Sequence, residues 1–232
     1  MKLHVIVPAY NEEKVLAQTL TQILTKKHIV DRVIVVNDGS KDATGSVARS
    51  IAERQPGSVV VLEQSHKGFA EAVKNGIDQV PEEDAFVVVM ADGCDEVDLI
   101  EDMLHVIHER RADVVCASRY IRGGKRTGGD FIKALGSRLV NAFFSFVMKG
   151  QCHDATNSFK MFKNNFFRSV FLKSHGFEIS LEMAIKAYKN GSHFHEIPTR
   201  WTDRKFGKSK FILLKDGIRY LGWMGSFFGE KT

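Results

Sequence analysis

Two runs of polar residues follow the first two strand-like segments of the chain. The first run contains Pro8, Tyr10 and Glu12, and the second contains Asp38. Each run alone is consistent with a strand-to-helix turn, because Asn, Asp, Gly and Ser often form turns and helix N-caps. At adjacent strand ends, however, the two runs would combine an aromatic ring with several carboxylates. A nucleoside needs such groups, since its base stacks on a ring and an acid accepts hydrogen bonds from the ribose or the base.

Basic residues concentrate toward the C-terminus. The chain has a net charge of +5 and a pI of about 9.0. The late basic residues are Arg200, Arg204, Lys205, Lys208, Lys210 and Lys215. A mildly basic soluble protein would show the same totals, but the clustering favours a surface that meets phosphates or anionic lipid. The charge is modest and most aromatic residues lie within apolar helical segments, so we do not expect nucleic-acid binding.

The elements that must position these residues alternate between strands and helices over the first 120 residues. The predicted strands are Leu3–Val7, Val33–Val36, Val59–Leu62, Phe86–Met90 and Val114–Ala117. The predicted helices lie near Glu12–Thr25, Thr44–Glu53, Phe69–Val80 and Leu99–Glu109. Continuous apolar runs are typical of strands buried on both faces, so the pattern predicts a mostly parallel α/β sheet flanked by helices. Ligands of such sheets bind at the carboxyl ends of the strands, where both polar runs fall.

The pattern changes from about Asp130 onward. Longer helices are predicted over Ile132–Met148 and Leu181–Asn190. Residues 211–232 mix apolar and aromatic side chains with a few basic ones. This segment fits a helix packed on the body or an amphipathic segment lying in a membrane interface, and the two interpretations are compatible. We expect a single domain over residues 1–210, followed by this C-terminal amphipathic segment over residues 211–232.

Composition and cysteine usage limit the class of protein. The 232 residues, 44% of them apolar, suit one α/β domain with a substantial core. Cys94, Cys116 and Cys152 are odd in number and widely spaced, so neither a disulfide framework nor a thiolate metal site is predicted. Met1 leads directly into a strand, which predicts no signal peptide. No apolar run approaches the ~20 residues that span a bilayer, so we expect a soluble or peripherally attached protein.

The polar runs VPAYNEE and VVNDGSKDAT resemble the opening of the family 2 glycosyltransferases. Within that family they are most similar to the dolichyl-phosphate mannosyltransferase-like branch. The resemblance covers nearly the whole chain and continues, in order, through HKGFA, MAD, SRY, DATNSFK, GFE with LEM, and DR with GKSK. One such match would be weak, but six or more in the right order are specific. The resemblance implies a glycosyltransferase A-type, Rossmann-like fold and a nucleotide-sugar donor held as a metal–diphosphate complex.

Several site residues follow from the resemblance by position. The residues that it assigns to the nucleoside are Pro8, Tyr10, Glu12 and Asp38. Asp92 matches the last acid of the family's Asp-x-Asp motif, whose carboxylates meet the metal and the diphosphate. Met90 stands where the first aspartate usually lies, and a thioether is a poor ligand for Mg²⁺ or Mn²⁺. Asp95 and Glu96 follow closely and are expected to take over, although an acidic turn at a helix N-terminus would look similar.

Basic residues are assigned to the phosphates in the same way. Arg119, Arg204 and Lys210 match family positions that contact donor and acceptor phosphates. A sugar diphosphate and a phosphate acceptor bring several negative charges together, so cationic side chains must offset their repulsion and stabilise the departing diphosphate. Residues 204–210, which are basic and contain glycine, resemble a mobile loop that closes over the phosphates. A solvated basic surface loop is the alternative.

Asp154 matches a position where family members place an acid near the acceptor. A sugar hydroxyl acceptor needs a general base. A phosphate monoester needs none, because its second pKa is ~6 and it is largely dianionic at neutral pH. We therefore expect Asp154, with Asp92 and Arg204, to organise the catalytic site or bind the acceptor side. Lys133 and Arg138 are further, weaker candidates for the acceptor phosphate.

The sequence thus predicts an inverting glycosyltransferase that depends on a divalent cation. The expected donor is a GDP- or UDP-linked sugar of mannose or glucose type, and the expected acceptor is a polyprenyl or dolichyl phosphate. The enzyme would lie peripherally on the cytoplasmic face of a membrane, with or without a membrane-spanning partner. Two alternatives stay open: transfer to a saccharide hydroxyl in glycan or cell-wall synthesis, and, because of Met90, a non-catalytic nucleotide-sugar binder.

Overall fold

A computed structural model describes residues 1–204 and 210–229 of the chain. Its strands are β1 (Leu3–Ala9), β2 (Val30–Asp38), β3 (Val59–Gln64), β4 (Ala85–Val88), β5 (Val114–Ser118), β6 (Lys125–Thr127), β7 (Lys160–Lys163), β8 (Phe194–Pro198) and β9 (Arg200–Thr202). Seven of them form one sheet in the order β3-β2-β1-β4-β7-β5-β8, and β6 pairs with β9 in a separate ribbon. The sheet is parallel except for β7, which runs antiparallel to β4 and β5. The predicted mostly parallel sheet is confirmed.

Helices cover both faces of this sheet. They are α1 (Leu16–Leu24), α2 (Thr44–Arg54), α3 (Phe69–Ile77), α4 (Leu99–Glu109), α5 (Phe131–Val147), α6 (Ile179–Lys189) and α7 (Leu213–Ser226), and a 3₁₀ segment spans Asn164–Ser169. The prediction that the first helix begins at Glu12 was wrong. The backbone N–H groups of Glu12 and Glu13 donate to Thr44 and Asp42 instead, so regular helix begins only at Leu16.

Two cores lie on opposite faces of the sheet because successive strand residues point to opposite sides. Val5, Val33 and Val87 pack in one core with the apolar faces of α1 and α4. Ile6 and Phe86 pack in the other, where α3, α5, α6 and α7 contribute the opposing side chains. Both faces are therefore covered, which explains why the strands consist of continuous apolar runs.

The strand register brings the polar loops to one edge. Ala9 of β1 pairs with Asn37, and Asp38 of β2 pairs with Gln64, so neighbouring strands end level with one another. Strand β5 runs parallel to β4, because β7 is antiparallel to both, and its end at Ser118 reaches the same edge. Strand β7 starts there, which places the preceding loop, residues 154–159, beside the ends of β4 and β5.

Helix α7 packs on the body with one face and exposes the other. Tyr220, Trp223 and Phe227 are buried, and the Tyr220 hydroxyl donates a 2.9 Å hydrogen bond to the carbonyl of Phe177. Leu221 and Phe228 are 60% and 75% exposed. The expected division between residues 1–210 and 211–232 stays a prediction. Within the described residues, no helix combines the length and apolar character needed to cross a bilayer.

The three cysteines are buried free thiols. Cys116 and Cys152 lie 36 positions apart in sequence, yet their sulfur atoms are 3.7 Å apart beneath the loop that precedes β7. Burial, followed by the neighbouring Cys152 thiol, raises the pKa of the Cys116 thiol. Both groups are therefore packed as small apolar side chains.

Gly76 tests the close packing of α3 on β1. A Cβ at this position would lie 2.4 Å from Cγ2 of Ile6, so Gly76→Ala forces the core apart. We expect a loss of about 1–3 kcal/mol in the free energy of unfolding, measured by urea denaturation. Gly222→Ala in α7 is the matched control, because nothing lies within 4 Å of its Cβ. The control should gain about 0.5–1 kcal/mol from helix propensity. Equal stability of the two variants would contradict this account.

Candidate active site

Asp38 anchors the loop between β3 and α3 from the end of β2. Its carboxylate is buried and accepts four hydrogen bonds. The donors are Gln64 Nε2 at 2.6 Å, the Lys67 N–H at 2.7 Å, His66 Nδ1 at 2.7 Å and the Gly68 N–H at 3.0 Å. Through these four hydrogen bonds Asp38 fixes the position of residues 64–68 at the carboxyl end of β2. Its predicted contact with the nucleoside stays a prediction.

Two rings form a stacked pair at this edge of the sheet. The rings of Tyr10 and His66 lie 4.0 Å apart at 17° to each other. Lys210 Nζ sits 5.3 Å from the centre of the Tyr10 ring and donates to the backbone carbonyls of Tyr10 and Asn11. The His66 side chain is 53% exposed, so the stacked pair is open to solvent. This is the part of the site best suited to a planar base. Pro8 precedes it as a buried residue of β1.

Arg204 and Lys210 connect distant acids at the centre of the edge. Arg204 Nη2 lies 2.6 Å from Asp92 Oδ2, and its Nη1 lies 3.4 Å from Glu12 Oε1. Lys210 Nζ lies 2.9 Å from the same Glu12 oxygen. The side chains of Glu12, Asp92 and Arg204 are at most 14% exposed, so these pairs are poorly screened by solvent. The structure thus brings Tyr10, Glu12, Asp92, Arg204 and Lys210 into one cluster, and His66 links Tyr10 to Asp38.

Residues 205–209 lie outside the described part of the chain. The predicted phosphate-closing loop over residues 204–210 is therefore described only at its ends. Arg204 donates hydrogen bonds to Glu12 and Asp92, and Lys210 donates one to Glu12.

The acidic turn after β4 folds back on Met90. Asp92 Oδ1 accepts a 3.1 Å hydrogen bond from the Cys94 N–H, and Asp95 Oδ2 accepts one of 2.8 Å from the Met90 N–H. The Asp95 carboxylate therefore sits beside the residue that replaces the motif's first aspartate. Burial, together with the negative charge of Asp92, raises the pKa of Asp95 to about 7. Glu96 instead braces β8 and β9, accepting hydrogen bonds from the Thr199 hydroxyl at 3.3 Å and the Arg200 N–H at 2.8 Å.

The residues available for a divalent cation are two carboxylates. In the described residues, no three His, Cys, Asp or Glu side chains are placed to hold a metal ion together. Mg²⁺ is usually bound through one or two carboxylates and completes its shell with substrate phosphates and water. Asp92 and Asp95, which line one groove, fit a cation that arrives with a diphosphate. They do not form a protein-only metal site.

Arg119 and Asp154 form a buried, bidentate ion pair. Arg119 Nε and Nη2 lie 2.7 and 2.8 Å from the two Asp154 oxygens, and the Arg119 N–H donates a third bond of 2.9 Å. Asn141 Nδ2 adds a fourth at 3.2 Å, and Asp154 is fully buried. Burial works against the charged guanidinium, but the Asp154 carboxylate outweighs it and raises the pKa of Arg119 above its ordinary value. Arg119 lines the groove and Asp154 lies behind it, so Asp154 positions the arginine.

Lys160 holds the loop that precedes β7. Its side chain is fully buried, and its Nζ donates to the carbonyls of Ala155, at 2.9 Å, and Asn157. The same loop presents Thr156, Asn157 and Ser158 to the groove. A buried ammonium must be satisfied by acceptors, so Lys160 fixes the shape of this loop. Lys160 belongs to the DATNSFK motif, but no role for its side chain is predicted from the sequence.

A groove of about 880 Å³ runs from this charged centre between α5 and α7. Its charged lining includes Asp92, Asp95, Arg119 and Arg204. Its apolar lining comes mainly from α5, α7 and the residue Phe211 before α7, and the side chains are Leu139, Val140, Phe211, Ile218, Leu221 and Met224. Lys133 of α5 lines the groove as well, and its Nζ donates to the Phe211 carbonyl at 2.8 Å. The groove therefore combines charged and apolar walls.

Arg138, by contrast, is exposed and does not line the groove. It lies about 100–160° around α5 from the groove-lining positions of that helix. Its predicted contact with the acceptor phosphate therefore has no geometric support here. Two groove residues that the sequence analysis did not assign are Arg126 of β6 and Trp201 of β9. They come together only through the pairing of β6 with β9, which no local pattern predicts.

The chain matches a family model described as glycosyl transferase family 2 over residues 4–171. It is 28% identical to the polyprenol monophosphomannose synthase of Mycolicibacterium smegmatis, a match covering 89% of this chain and 79% of that protein. It is 27% identical to the dolichol-phosphate mannosyltransferase of Pyrococcus furiosus, with 97% of this chain covered but only 65% of the relative. It is also 27% identical to the undecaprenyl-phosphate mannosyltransferase of Micrococcus luteus, over 90% of this chain and 87% of that protein.

Solved structures show the same fold. The chain is similar to glucosyl-3-phosphoglycerate synthase from Mycobacterium tuberculosis, with a TM-score of 0.75 at 14% identity, over 100% of this chain and 81% of that one. That structure contains Mn²⁺, uridine diphosphate and glucosyl-3-phosphoglycerate. A second structure of the same enzyme, with Mn²⁺, UDP-glucose and phosphoglyceric acid, gives a TM-score of 0.76. These likenesses confirm the predicted glycosyltransferase A-type fold.

Asp154→Asn tests whether Asp154 compensates the Arg119 charge. The substitution leaves a buried guanidinium without its counterion, so we expect the free energy of unfolding to fall by about 3–5 kcal/mol, measured by chemical denaturation. Asp113→Asn is the control, because Asp113 pairs with Lys163 at 3.1 Å and its side chain is 36% exposed. Solvent screening should limit the control's loss to about 1 kcal/mol. Similar losses in both variants would show that the buried Arg119–Asp154 pair contributes no more to the free energy of unfolding than an exposed ion pair does.

Proposed function

This chain belongs to glycosyl transferase family 2, and from that premise we propose that it transfers a hexose from a nucleotide diphosphate sugar to a polyprenyl or dolichyl phosphate. The sugar is of mannose or glucose type, and the nucleotide is GDP or UDP. Membership of the family confirms the resemblance drawn from the sequence and the prediction of a glycosyltransferase. Family membership also argues against the non-catalytic binder. The Asp95 carboxylate, which accepts a hydrogen bond from the Met90 N–H, supports a role for Asp95 in place of the motif's first aspartate.

The amphipathic groove is the observation that carries this proposal. A polyprenyl phosphate has a dianionic head and a long apolar tail. The groove offers Arg119, Arg126 and Lys133 to the head and apolar side chains of α5 and α7 to the tail. A saccharide acceptor would gain nothing from that apolar wall. The relatives from Mycolicibacterium, Pyrococcus and Micrococcus, whose names specify polyprenol, dolichol and undecaprenyl phosphates, support the same acceptor class.

The geometry suits direct attack by the acceptor phosphate. An oxygen of the phosphate forms a bond to the anomeric carbon while the bond from that carbon to the diphosphate breaks on the opposite face, which inverts the configuration. No general base is needed, because the acceptor is already largely dianionic above its second pKa of ~6. Asp154 can therefore serve as the counterion of Arg119 without acting as a base. Arg204 and Lys210 lie where they can offset the charge that builds on the leaving diphosphate.

A divalent cation, Mg²⁺ or Mn²⁺, would be held by Asp92 and Asp95 and would neutralise part of the diphosphate charge. The Mn²⁺ in the solved structures of glucosyl-3-phosphoglycerate synthase supports such a requirement. Tyr10 and His66 would receive the base, and Glu12 and Asp38 shape the nucleoside pocket around it.

Acceptor preference provides the test of this function. The full chain is incubated with radiolabelled GDP- or UDP-hexose, Mg²⁺ or Mn²⁺, and either a short-chain polyprenyl phosphate or the matching polyprenol. We expect label in organic-extractable lipid with the phosphate only, because the alcohol lacks the nucleophile. Free saccharides, added in parallel, should stay unlabelled. Labelling of saccharides alone would support the hydroxyl-acceptor alternative and reject the proposal.

Exposed apolar residues of α5 and α7 beside the groove indicate attachment to a membrane surface. Phe131, Leu135, Leu139 and Phe146 are 78%, 48%, 64% and 83% exposed. Their spacing places them on one face of α5. Ile218 and Leu221 of α7 are 62% and 60% exposed and line the groove together with Leu139. We infer that the α5–α7 face lies on the cytoplasmic side of a bilayer, alone or with a membrane-spanning partner, so that a lipid phosphate enters from the membrane.

Removal of aromatic anchors tests this docking. The double variant Phe131→Ser, Phe146→Ser should bind anionic phospholipid vesicles at least about tenfold more weakly in a flotation assay, because two exposed rings no longer enter the interface. Phe171→Ser is the matched control, since Phe171 is 78% exposed but lies outside the α5–α7 face. If the control loses vesicle binding as strongly as the double variant, docking through α5 is rejected.

A further inference from the structure

Arg126 is a cation of the groove whose charge has no counterion in the described part of the chain. It lies on β6 and lines the groove together with Trp201, its register partner on β9. Its guanidinium carbon lies 4.9 Å from the centre of the Trp201 ring. Its Nε is buried, and among the described residues no acceptor takes its hydrogen. A buried donor without an acceptor is costly, so the site favours a ligand that supplies one.

The chain makes room for this guanidinium. A Cβ at Gly129 would come within 2.8 Å of Arg126 Nη2, so only glycine leaves the side chain its present position. Gly129 has φ +82°, a backbone conformation that also favours glycine. Trp201 supports the guanidinium from the ring face, through a cation–π contact. Arg126 is therefore held in place without being neutralised.

Its surroundings place Arg126 on the acceptor side. Arg119 and Lys133 line the same groove, as do Asp92, Asp95 and Arg204, whereas Tyr10, Glu12 and Lys210 do not. The chain continues from β6 through Gly129 into α5, the helix that walls the groove. The positive charge of Arg119 is balanced by Asp154, and that of Arg204 is paired with Asp92 and Glu12. A dianionic group that enters the groove therefore needs further positive charge to balance its own, and the guanidinium of Arg126 can supply it.

We propose that Arg126, supported by Trp201, binds the phosphate of the acceptor and contributes to its selection over uncharged lipid. This assignment rests on the proposed function, which supplies a phosphate-bearing acceptor. The guanidinium donates hydrogen bonds to phosphate oxygens and takes no part in bond making or breaking. Arg126 is thus a binding and specificity residue, and its contribution is expected in the affinity for the acceptor.

Two substitutions on adjacent residues of β6 test this assignment. Arg126→Gln removes the charge, and Lys125→Gln removes the same charge from an exposed neighbour that does not line the groove. We expect Arg126→Gln to raise the KM for a short-chain polyprenyl phosphate about tenfold or more, with donor KM within about twofold of wild type. Arg126→Lys should retain part of the affinity, and Lys125→Gln should leave both KM values unchanged. Circular dichroism melting shows that each variant is folded.

Calorimetric binding of the same lipid phosphate without donor, with the polyprenol as uncharged control, separates this inference from the proposed function. If wild type binds and transfers but Arg126→Gln binds equally well, the Arg126 assignment is overturned alone. An equal rise in donor KM would also overturn it, since Arg126 would then serve the donor diphosphate. If wild type binds the lipid phosphate, Arg126→Gln does not, and no transfer occurs, Arg126 is a lipid-phosphate ligand but the proposed function, and with it the role of that lipid as acceptor, is overturned. If wild type neither binds nor transfers, both are overturned.

Discussion

The site is organised by one guanidinium that joins opposite ends of the chain. Arg204 bonds to Asp92, 112 positions earlier, and to Glu12, 192 positions earlier. Neither acid could be left unpaired at such low exposure without a large desolvation cost. The pairs therefore hold Arg204, which follows β9, at the sheet edge. Lys210, which precedes α7, is held at Glu12 as well, so these contacts help to place α7 opposite α5, and the groove between the two helices depends on them.

Charge balance extends from this centre to Arg119 and Asp154. Asp154 neutralises Arg119 in the bidentate geometry that arginine and carboxylate favour, and Asn141 and Thr156 complete the set of donors. Lys160 holds the loop that precedes β7 by donating to the carbonyl groups of Ala155 and Asn157. The groove wall is thus built from groups whose hydrogen bonds are already made within the protein. Rigid positioning of this kind is what a transfer reaction with little need for proton movement requires.

Much of the fold was predictable because the relevant signals are local. The buried strands β1 to β5 are continuous apolar runs, and the helices between them carry apolar residues at helical spacing. Strand β7 escaped prediction because it is only 4 residues long and begins with a lysine whose burial is explained by loop carbonyls. Helix α1 starts later than its pattern suggested because Thr44 and Asp42 take the backbone donors of Glu12 and Glu13.

The candidate site was predictable to the extent that a motif encodes it. Glu12, Asp92, Arg204 and Lys210 were chosen by position in the family pattern and lie together. The stacking of His66 on Tyr10 and the approach of Arg126 to Trp201 depend on which loops become neighbours in three dimensions. Arg138 shows the converse, because its position near Lys133 in sequence places it on another face of α5.

The acids that suit a metal–diphosphate complex already have cationic partners within the chain. Arg204 and Lys210 act as counterions for Asp92 and Glu12, so their charges offset those of the two acids. Under the proposed function, entry of a metal–diphosphate donor would be an ion exchange, in which carboxylates and guanidinium change partners while the total charge of the crevice changes little. Such an exchange would limit the electrostatic gain on binding and equally limit the loss on release, which favours turnover over tight retention of the spent nucleotide.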